Sequence, residues 1–525
     1  MLAATATLAE MLTLGTSAAK AQQQRSAGDY YQHAQELLDA EKPLEAREAA
    51  RHALEIDPNS PEAECLLGKA ELALDNLDAA GEDLTKALEL KPDLIDARAG
   101  LGTLYLKQNR LRDARVQYEA ALRSNTSDFQ SLYGLGLVFL LDHQPEAALS
   151  QFEKASRIKP DDAGVLASLL QAQLQLKLEP RAAATLARLD GQLETNDPRR
   201  MEVAAMLVHE GAFELAGQQF ERLRRTQPES YELNYNLALA YHRAGEEEKA
   251  AALLANMLAR KESAELEDLL GNVEEAHANK SQSLEAFRRA AELESKNEEY
   301  RYDYGQALVH WGALNEALDA FNAAARDLPG SARILLGWGA TYYLAGRYAD
   351  SAQTLLRAAD AAPQNPTAYY LLGRAYEAAG PLRAEIAKRF RRYLAAHPRD
   401  AWAEFFYGRI LTAAAQQSEG PGPGEAQKHL ERAIELDHGL AEAHAELGRV
   451  LEKREQLTAA RGELELAVQL DTKSSAALYQ LAGLYRKIGE QRLAQKALAR
   501  FEELKKNERV DKDSQAIRGF LEQGR

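Results

Sequence analysis

The chain has a single cysteine, Cys65, among its 525 residues. An intramolecular disulfide is therefore excluded. The thiol follows Glu64 and precedes Leu66, Leu67 and Gly68, so we expect a small buried core residue rather than a nucleophile. The scarcity of cysteine does not by itself assign a compartment.

An excess of basic residues is also missing. The chain has 64 Lys and Arg against 80 Asp and Glu, which gives a net charge of −16. Nucleic-acid-binding proteins usually carry a basic stripe, so the sequence predicts no nucleic-acid partner. Acidic runs such as Glu246, Glu247 and Glu248 are expected to be solvated helix surface.

Long apolar runs, β-branched stretches and metal-ligand spacings are absent too. No segment after the N-terminus approaches the roughly 20 apolar residues of a membrane span, so no transmembrane segment is predicted. Phe213 stands where a zinc-protease motif starting at His209 would need a histidine, and His438 and His444 are six residues apart. We therefore expect no metal site, no cofactor and no enzymatic activity.

The feature that dominates the sequence is an internal repeat. Glycines stand 34 residues apart at Gly68, Gly102 and Gly136, and again at Gly271, Gly305, Gly339 and Gly373. Alanines follow the same period at Ala87, Ala121 and Ala155, and at Ala290, Ala324 and Ala358. A fixed period of this length indicates one supersecondary unit stacked on copies of itself.

Each repeat has the pattern of two short helices. Small and apolar residues recur at helical spacing from Ile95, stop at Asn109, and resume from Ala114 to Ala121. A proline closes many repeats, as at Pro58, Pro92, Pro160, Pro228, Pro329 and Pro363. Large residues are expected to fill the space beside the recurrent small ones, namely Tyr105, Phe139, Tyr241, Tyr342 and Tyr376. Trp338 is assigned to the core with Tyr342 and Tyr376.

This pattern resembles the tetratricopeptide repeat family, in its bacterial type. The segment 234–250 has Leu237, Ala238, Tyr241, Gly245 and Ala250 where the family places them, and the segment 333–363 repeats the scheme with Trp338, Gly339, Tyr342, Gly346, Ala358 and Pro363. The resemblance implies an all-α fold, a right-handed superhelical solenoid of about fourteen tandem helix-turn-helix repeats over residues 27–508. Residues 509–525 are expected to cap it.

The repeats are expected to start near Ala27, Pro61, Ile95, Phe129, Ala163, Asp197, Tyr231, Ala264, Glu298, Ala332, Pro366, Ala401, Ala441 and Ser475. Two of them depart from the pattern, since Leu170 replaces a small residue and Ser283 replaces the central alanine. A Gly- and Pro-rich insertion near residues 416–424 is predicted to be an exposed loop, because insertions in repeat arrays map to loops.

The first 21 residues have the character of a signal peptide. They are apolar and rich in small residues, and Ala19, Lys20 and Ala21 before Gln22 have the form of a signal-peptidase site. Glu10 interrupts the apolar stretch, and no basic residue precedes it. Export to the periplasm or beyond is therefore one expectation, and a cytoplasmic chain with a helical extension is the other.

In the resembled family, partners bind in the groove lined by the first helix of each repeat. At its second, fifth, ninth and twelfth places the later repeats become aromatic and basic. The residues predicted to form a partner-binding groove are Tyr302, Leu336, Tyr343, Tyr370, Arg374, Trp402, Phe405 and Arg409. Aromatic and arginine side chains are enriched at binding hot spots.

The sequence therefore favours a non-enzymatic scaffold that binds an extended peptide or protein segment, acidic in character, in its groove. The alternative is an exported accessory protein of envelope assembly or polysaccharide handling, because aromatic faces also stack on sugars. The identity of the partner and the oligomeric state stay open.

Overall fold

The computed structural model describes residues 26–194, 198–416 and 423–507, with residues 515, 517–519 and 521. The expected signal peptide and most of the capping segment 509–525 lie outside the described residues. The chain divides into two compact units, Met1–Ala244 (unit 1) and Gly245–Arg525 (unit 2).

The described part of unit 1 contains six successive pairs of helices and a thirteenth helix at its end. They are α1 (Ala27–Asp39), α2 (Pro43–Ile56), α3 (Pro61–Ala73), α4 (Leu77–Leu90), α5 (Ile95–Lys107), α6 (Leu111–Ser124), α7 (Phe129–Leu141), α8 (Pro145–Ile158), α9 (Ala163–Gln175), α10 (Glu179–Gln192), α11 (Pro198–His209), α12 (Phe213–Arg224) and α13 (Tyr231–Arg243).

Unit 2 continues the same scheme. Its helices are α14 (Glu247–Arg260), α15 (Ala264–Ala276), α16 (Lys280–Leu293), α17 (Glu298–His310), α18 (Leu314–Asp327), α19 (Ala332–Leu344), α20 (Tyr348–Ala361), α21 (Pro366–Ala375), α22 (Arg383–Ala396), α23 (Ala401–Gln416), α24 (Pro423–Leu436), α25 (Ala441–Lys453), α26 (Leu457–Leu470), α27 (Ser475–Lys487) and α28 (Gln491–Asn507). Two short 3-10 turns, Tyr376–Ala378 and Gly380–Leu382, join α21 to α22.

The described residues thus form helices and connecting turns, with no strand among them, and the predicted all-α class is confirmed. The first helix of each repeat begins at the predicted start or one residue from it. The two irregular repeats also form helical pairs, with Leu170 and Ser283 fully buried. At the ends of the predicted loop 416–424, Gln416 belongs to α23 and Pro423 begins α24. Residues 417–422 lie outside the described ranges.

Polar residues cap many of the first helices. Ser60, Asp128 and Ser331 precede α3, α7 and α19, and the side chain of each accepts a hydrogen bond from the backbone N–H three residues later. Such caps satisfy donors that the first turn of a helix leaves unpaired. The junction between repeats therefore combines a stop signal with the start signal of the next helix.

Left-handed residues join the two helices within a repeat. The backbone φ is positive at Asp75, Asn109, His143 and Lys177, 34 residues apart, and also at glycines such as Gly346. The chain must reverse direction in about three residues, and the left-handed conformation achieves this turn. Glycine adopts it without steric cost, whereas the other residues do not.

The recurrent glycines of the first helices face bulky residues of the second helices. A Cβ placed on Gly102 would lie 2.6 Å from the ring of Tyr118, and one on Gly305 would lie 2.6 Å from that of Phe321. The expectation that residues such as Tyr105 fill this space is wrong, because the second helix supplies the filling side chain. The alternation of small and large residues thus holds the two helices of a repeat in close contact.

First helices also pack on the first helices of neighbouring repeats. Within unit 2 these contacts join α17 to α19, α19 to α21, α21 to α23 and α23 to α25. The first helices therefore form a continuous surface in this unit, and it is on this surface that the predicted site residues lie.

Candidate functional site

The predicted groove residues divide into two sets. Tyr302, Leu336, Tyr343 and Phe405 are 1%, 5%, 8% and 2% exposed, so the expectation that they present open binding faces is wrong. Tyr370, Arg374, Trp402 and Arg409 are partly exposed. The second set, on α21 and α23, is the part of the prediction that remains accessible.

Tyr302 shows why the fifth place of a first helix becomes buried. Its ring packs edge-on against Phe321 at 6.0 Å, and the guanidinium of Arg333 from the next repeat covers it at 4.4 Å. A Cβ on Gly337 of that repeat would lie 3.0 Å from the same ring. The neighbouring repeat thus approaches closely over the fifth place, and a large side chain there fills the interface between repeats.

The accessible set gathers around Phe406. The Tyr370 ring meets the Trp402 ring at 5.2 Å and the Phe406 ring at 5.6 Å, both edge-on, and Trp402 stacks on Phe406 at 5.8 Å. Gly373 makes room for this arrangement, because a Cβ there would lie 2.2 Å from Phe406. We call Tyr370, Arg374, Trp402, Phe406 and Arg409 the α21–α23 cluster.

Arg374 lies over all three rings of the cluster. Its guanidinium carbon is 5.1 Å from the centre of the Tyr370 ring, 5.4 Å from that of Trp402 and 5.6 Å from that of Phe406. It donates a hydrogen bond of 3.0 Å to the Tyr370 hydroxyl. Cation–π contacts of this kind strengthen when water is excluded, and the Arg374 side chain is only 11% exposed.

Acidic residues of the same chain already face the arginines. Glu442 of α25 lies 3.6 Å from Arg374 and Glu377 lies 3.4 Å from Arg409, while Arg449 of α25 donates a hydrogen bond of 3.0 Å to Glu446. Arginine therefore occupies the ninth place of three successive first helices, α21, α23 and α25. Each guanidinium is positioned by a carboxylate as well as by packing.

Several of these residues were not predicted. Arg449 follows from the repeat period, because it occupies the same place as Arg374 and Arg409. Phe406 sits one place beyond the predicted Phe405, and its role depends on the space at Gly373. Glu442 reaches Arg374 from two repeats away, and no local sequence signal indicates such a contact.

Two residues with reactive side chains, Cys65 and His444, lie buried in the protein. Cys65 is buried, and desolvation raises the pKa of its thiol to about 12, so the predicted core role is confirmed. Nδ1 of the buried His444 lies 2.7 Å from Glu463. In the described ranges no three or more His, Cys, Asp or Glu side chains come together as a metal site. Among the helices described, none has the length and hydropathy to cross a membrane.

A cleft of about 1080 Å³ lies in unit 1 between α10 and α12. Leu186, Ala187 and Phe213 line it together with charged groups. Beside it Arg200, 3% exposed, donates to Asp190 at 2.5 Å and to Gln219 at 2.7 Å. Arg200, Asp190 and Gln219 thus form hydrogen bonds with one another inside unit 1. The cleft lies in an irregular stretch of the array.

Comparisons with known proteins agree with the repeat geometry. The chain matches the family model described as tetratricopeptide repeat over residues 31–95, 100–163, 208–265, 269–332 and 336–401. Two long stretches after the first repeat have no match, 164–207, which includes α10 beside the cleft, and 402–525, which includes most of α23. A comparison with curated proteins finds no match.

Solved structures provide further similar chains. One is the yeast Tom70 crystal structure, with 19% identity, a TM-score of 0.35, and coverage of 83% of this chain and 96% of that one. Another is YrrB, whose title describes a protein with an unusual peptide-binding site, with 21% identity, a TM-score of 0.31, and coverage of 38% of this chain and 98% of that one. Because the family model covers more than half of the chain, this protein belongs to the tetratricopeptide repeat family.

Proposed function

We propose that the α21–α23 cluster binds an extended, acidic segment of a partner protein. The tetratricopeptide fold indicates protein–protein interaction, and the proposal adds a place and a chemistry. The observation that carries it is Arg374, held over three aromatic rings on a surface of first helices. A guanidinium fixed in this way presents planar donors to a carboxylate without losing further side-chain freedom.

The rings and the arginines supply different parts of the recognition. Tyr370 and Trp402 offer partly exposed aromatic edges to apolar side chains. Arg409, with 20% of its side chain exposed, offers charge. A partner segment that contains both apolar and acidic side chains would satisfy both.

Glu442 and Glu377 would compete with the carboxylates of a partner for Arg374 and Arg409. Glu442 is 46% exposed and Glu377 is 70% exposed, so each can rotate into water when a partner carboxylate replaces it. Before binding, these glutamates compensate the arginines. A carboxylate of the partner must therefore bind the arginines more strongly than Glu442 or Glu377 does. This requirement disfavours partner segments that contain few acidic residues.

The test uses a fluorescein-labelled peptide of alternating leucine and glutamate, with a leucine–glutamine peptide as its control. Arg409→Gln should weaken binding of the acidic peptide by about 1 kcal/mol or more, the scale of an interface arginine. Arg454→Gln makes the same charge change in the exposed turn after α25 and should leave binding unchanged. Trp402→Ala is less suitable, since removing a packed ring also destabilises the cluster.

Glu442→Gln provides the complementary measurement. Because it removes the internal competitor of Arg374, it should tighten binding of the acidic peptide and leave the leucine–glutamine peptide unaffected. Equal losses for Arg409→Gln and Arg454→Gln would contradict the proposal, as would a Glu442→Gln variant with wild-type affinity. Binding of a neutral oligosaccharide in preference to the acidic peptide would instead support the glycan-handling alternative.

Export of the chain is a separate proposal. It is supported by the small and apolar residues 1–21 and by the Ala19–Lys20–Ala21 sequence before Gln22. An exported scaffold would meet its partner in the cell envelope, which is the setting that the assembly alternative also requires.

A further inference from the structure

The second helix α22 carries an unusual concentration of positive charge for this acidic chain. Its fourteen residues include five basic residues and one acidic residue, Glu385. Arg399 follows in the loop after the helix. The net charge of the whole protein is −16, so this segment has the opposite sign from the chain as a whole.

Two of the basic residues of α22 form hydrogen bonds to other residues of unit 2. Arg389 makes two hydrogen bonds to Asp360 of α20, at 2.9 and 3.0 Å, and Arg391 donates to the buried Tyr407 hydroxyl at 3.0 Å. These contacts attach α22 to the helices beside it. Arg389 and Arg391 therefore have structural roles.

Lys388, Arg392 and Arg399 are not accounted for in this way. All three are exposed, and in the described parts of the chain no acidic side chain forms an ion pair with them. Lys388 and Arg392 are one helical turn apart on the same side of α22, where like charges repel each other. The last turn of α22 contains no basic residue, so interaction with the helix dipole does not explain Lys388 or Arg392 either.

We propose that Lys388, Arg392 and Arg399 form a second docking surface, for an acidic segment of a partner protein. This basic patch lies on a second helix, whereas the α21–α23 cluster lies on first helices. Small exposed residues surround it, since Ala384, Ala395 and Ala396 also face solvent. A polypeptide chain can therefore approach the ammonium and guanidinium groups closely.

Charge complementarity favours an acidic polypeptide over other anionic partners. The patch is bounded by acidic residues, among them Glu385 and the exposed Asp360, so a long nucleic acid would soon meet repulsive charge. An anionic membrane usually requires bulky apolar residues that insert beside the basic ones, and the exposed neighbours on α22 are alanines. A short run of carboxylates fits the size of the patch.

The spacing of the charges supports an extended segment. Lys388 and Arg392 are separated by one helical turn, about 5.4 Å along the axis. Alternate side chains of an extended strand are about 6.6 Å apart and point to the same side. Two carboxylates on alternate residues can therefore reach Lys388 and Arg392 together.

The experiment measures binding of fluorescein-labelled octaglutamate, with octaglutamine as the uncharged control. The full-length chain carries Arg409→Gln in all samples, so that the α21–α23 cluster contributes little. The variant Lys388→Gln/Arg392→Gln/Arg399→Gln should weaken octaglutamate binding by about tenfold, as expected for the loss of three exposed charge pairs. All three residues are exposed, so the melting temperature should change little.

A matched variant controls for the loss of net charge. Arg123→Gln/Lys154→Gln/Arg157→Gln removes three exposed basic residues from second helices of unit 1 and should leave octaglutamate affinity within about twofold. Equal weakening by both triple variants would overturn the proposal, because it would show only a bulk charge effect. Failure of octaglutamate to bind would overturn it as well.

Two further probes separate the classes of partner. Oligothymidylate and phosphatidylglycerol vesicles should bind more weakly than octaglutamate. Stronger binding of either one, lost in the α22 triple variant, would overturn the assignment to an acidic polypeptide. Because the patch and the α21–α23 cluster share no residue, either proposal can fail while the other stands.

Discussion

Single residues determine how closely the two helices of a repeat approach. At Gly339 of α19 a Cβ would lie 2.7 Å from two atoms of Leu355, which belongs to α20 of the same repeat. Gly462 of α26 is also helical, and nothing lies within 4 Å of the position that its Cβ would take. The two glycines have the same backbone role in different surroundings.

Alanine at these two positions should therefore have opposite effects. Gly339→Ala should lower the free energy of unfolding by about 1 to 3 kcal/mol, because Leu355 must move out of a close-packed site. Gly462→Ala should raise it by about 0.5 to 1 kcal/mol, because alanine loses less conformational entropy in a helix. Urea unfolding followed by circular dichroism measures both. A Gly339→Ala variant as stable as the wild type would contradict the packing explanation.

The sequence predicted which helix face the site residues occupy, but it did not predict which of them are buried. Tyr370, Arg374, Trp402 and Arg409 do share one surface, as the second, fifth and ninth places of first helices require. Tyr302 and Phe405 occupy the same fifth place and are buried, and residues of the neighbouring repeat cover Tyr302. Burial depends on residues one repeat away, so the pattern within a single helix does not reveal it.

At the scale of helices, α3 and α4 enclose three carboxylates. Glu64 and Glu71 of α3 are 2% and 3% exposed, and Asp83 of α4 lies near both. Burial, with the charges of Glu64 and Glu71, raises the pKa of Asp83 from 3.8 to about 6. Lys86 lowers this pKa and compensates only part of the effect. The ionised form of Asp83 is therefore disfavoured in the folded state.

The contribution of Asp83 to the stability of unit 1 should consequently increase as the pH falls from about 6 to 3.8. The folded state binds a proton at Asp83 more readily than the unfolded state between pH values of about 6 and 3.8, so stability is lost as the pH rises through that window. Asp83→Asn should be more stable than the wild type at pH 7 and should show a weaker pH dependence. Melting temperatures from pH 4 to 7 measure the difference.

Glu89→Gln is the matched control for Asp83→Asn. Glu89 is an exposed carboxylate on the same helix, so its neutralisation should leave the pH dependence of the melting temperature as in the wild type. If Asp83→Asn and Glu89→Gln change the curve equally, the buried carboxylates do not cause the effect. The period of 34 residues predicted the helices of this pair, but not the acidic residues between them, because their proximity depends on the angle at which α3 and α4 pack.

At the scale of the whole molecule, the period predicted the helix order along both units. The starts of the first helices and the all-α class follow from recurrent glycine, alanine and proline. The sequence did not indicate the cleft between α10 and α12. It lies in the part of the array where Leu189 and Leu223 stand at the place that alanine holds in Ala87, Ala121 and Ala155.

Export of the chain leads to a further prediction that can be measured. If residues 1–21 are a signal peptide, protein accumulated in a native-like host should begin at Gln22. N-terminal sequencing measures this directly. Ala19→Arg/Ala21→Arg should block cleavage, and Lys20→Gln should not, since only the small residues flanking it are required. Mature protein that retains Met1 or Leu2 would contradict export by this route.

The left-handed turns within the repeats allow the stability of the array to be adjusted in steps. Glu41, Asp75, Asn109, His143, Lys177, Ala278 and Glu455 adopt a conformation that glycine takes more easily. Each belongs to a different repeat, and substitutions at distant sites usually have additive effects. An engineer could therefore introduce glycines one turn at a time and obtain a graded series of increasingly stable variants, without changing a residue of the α21–α23 cluster.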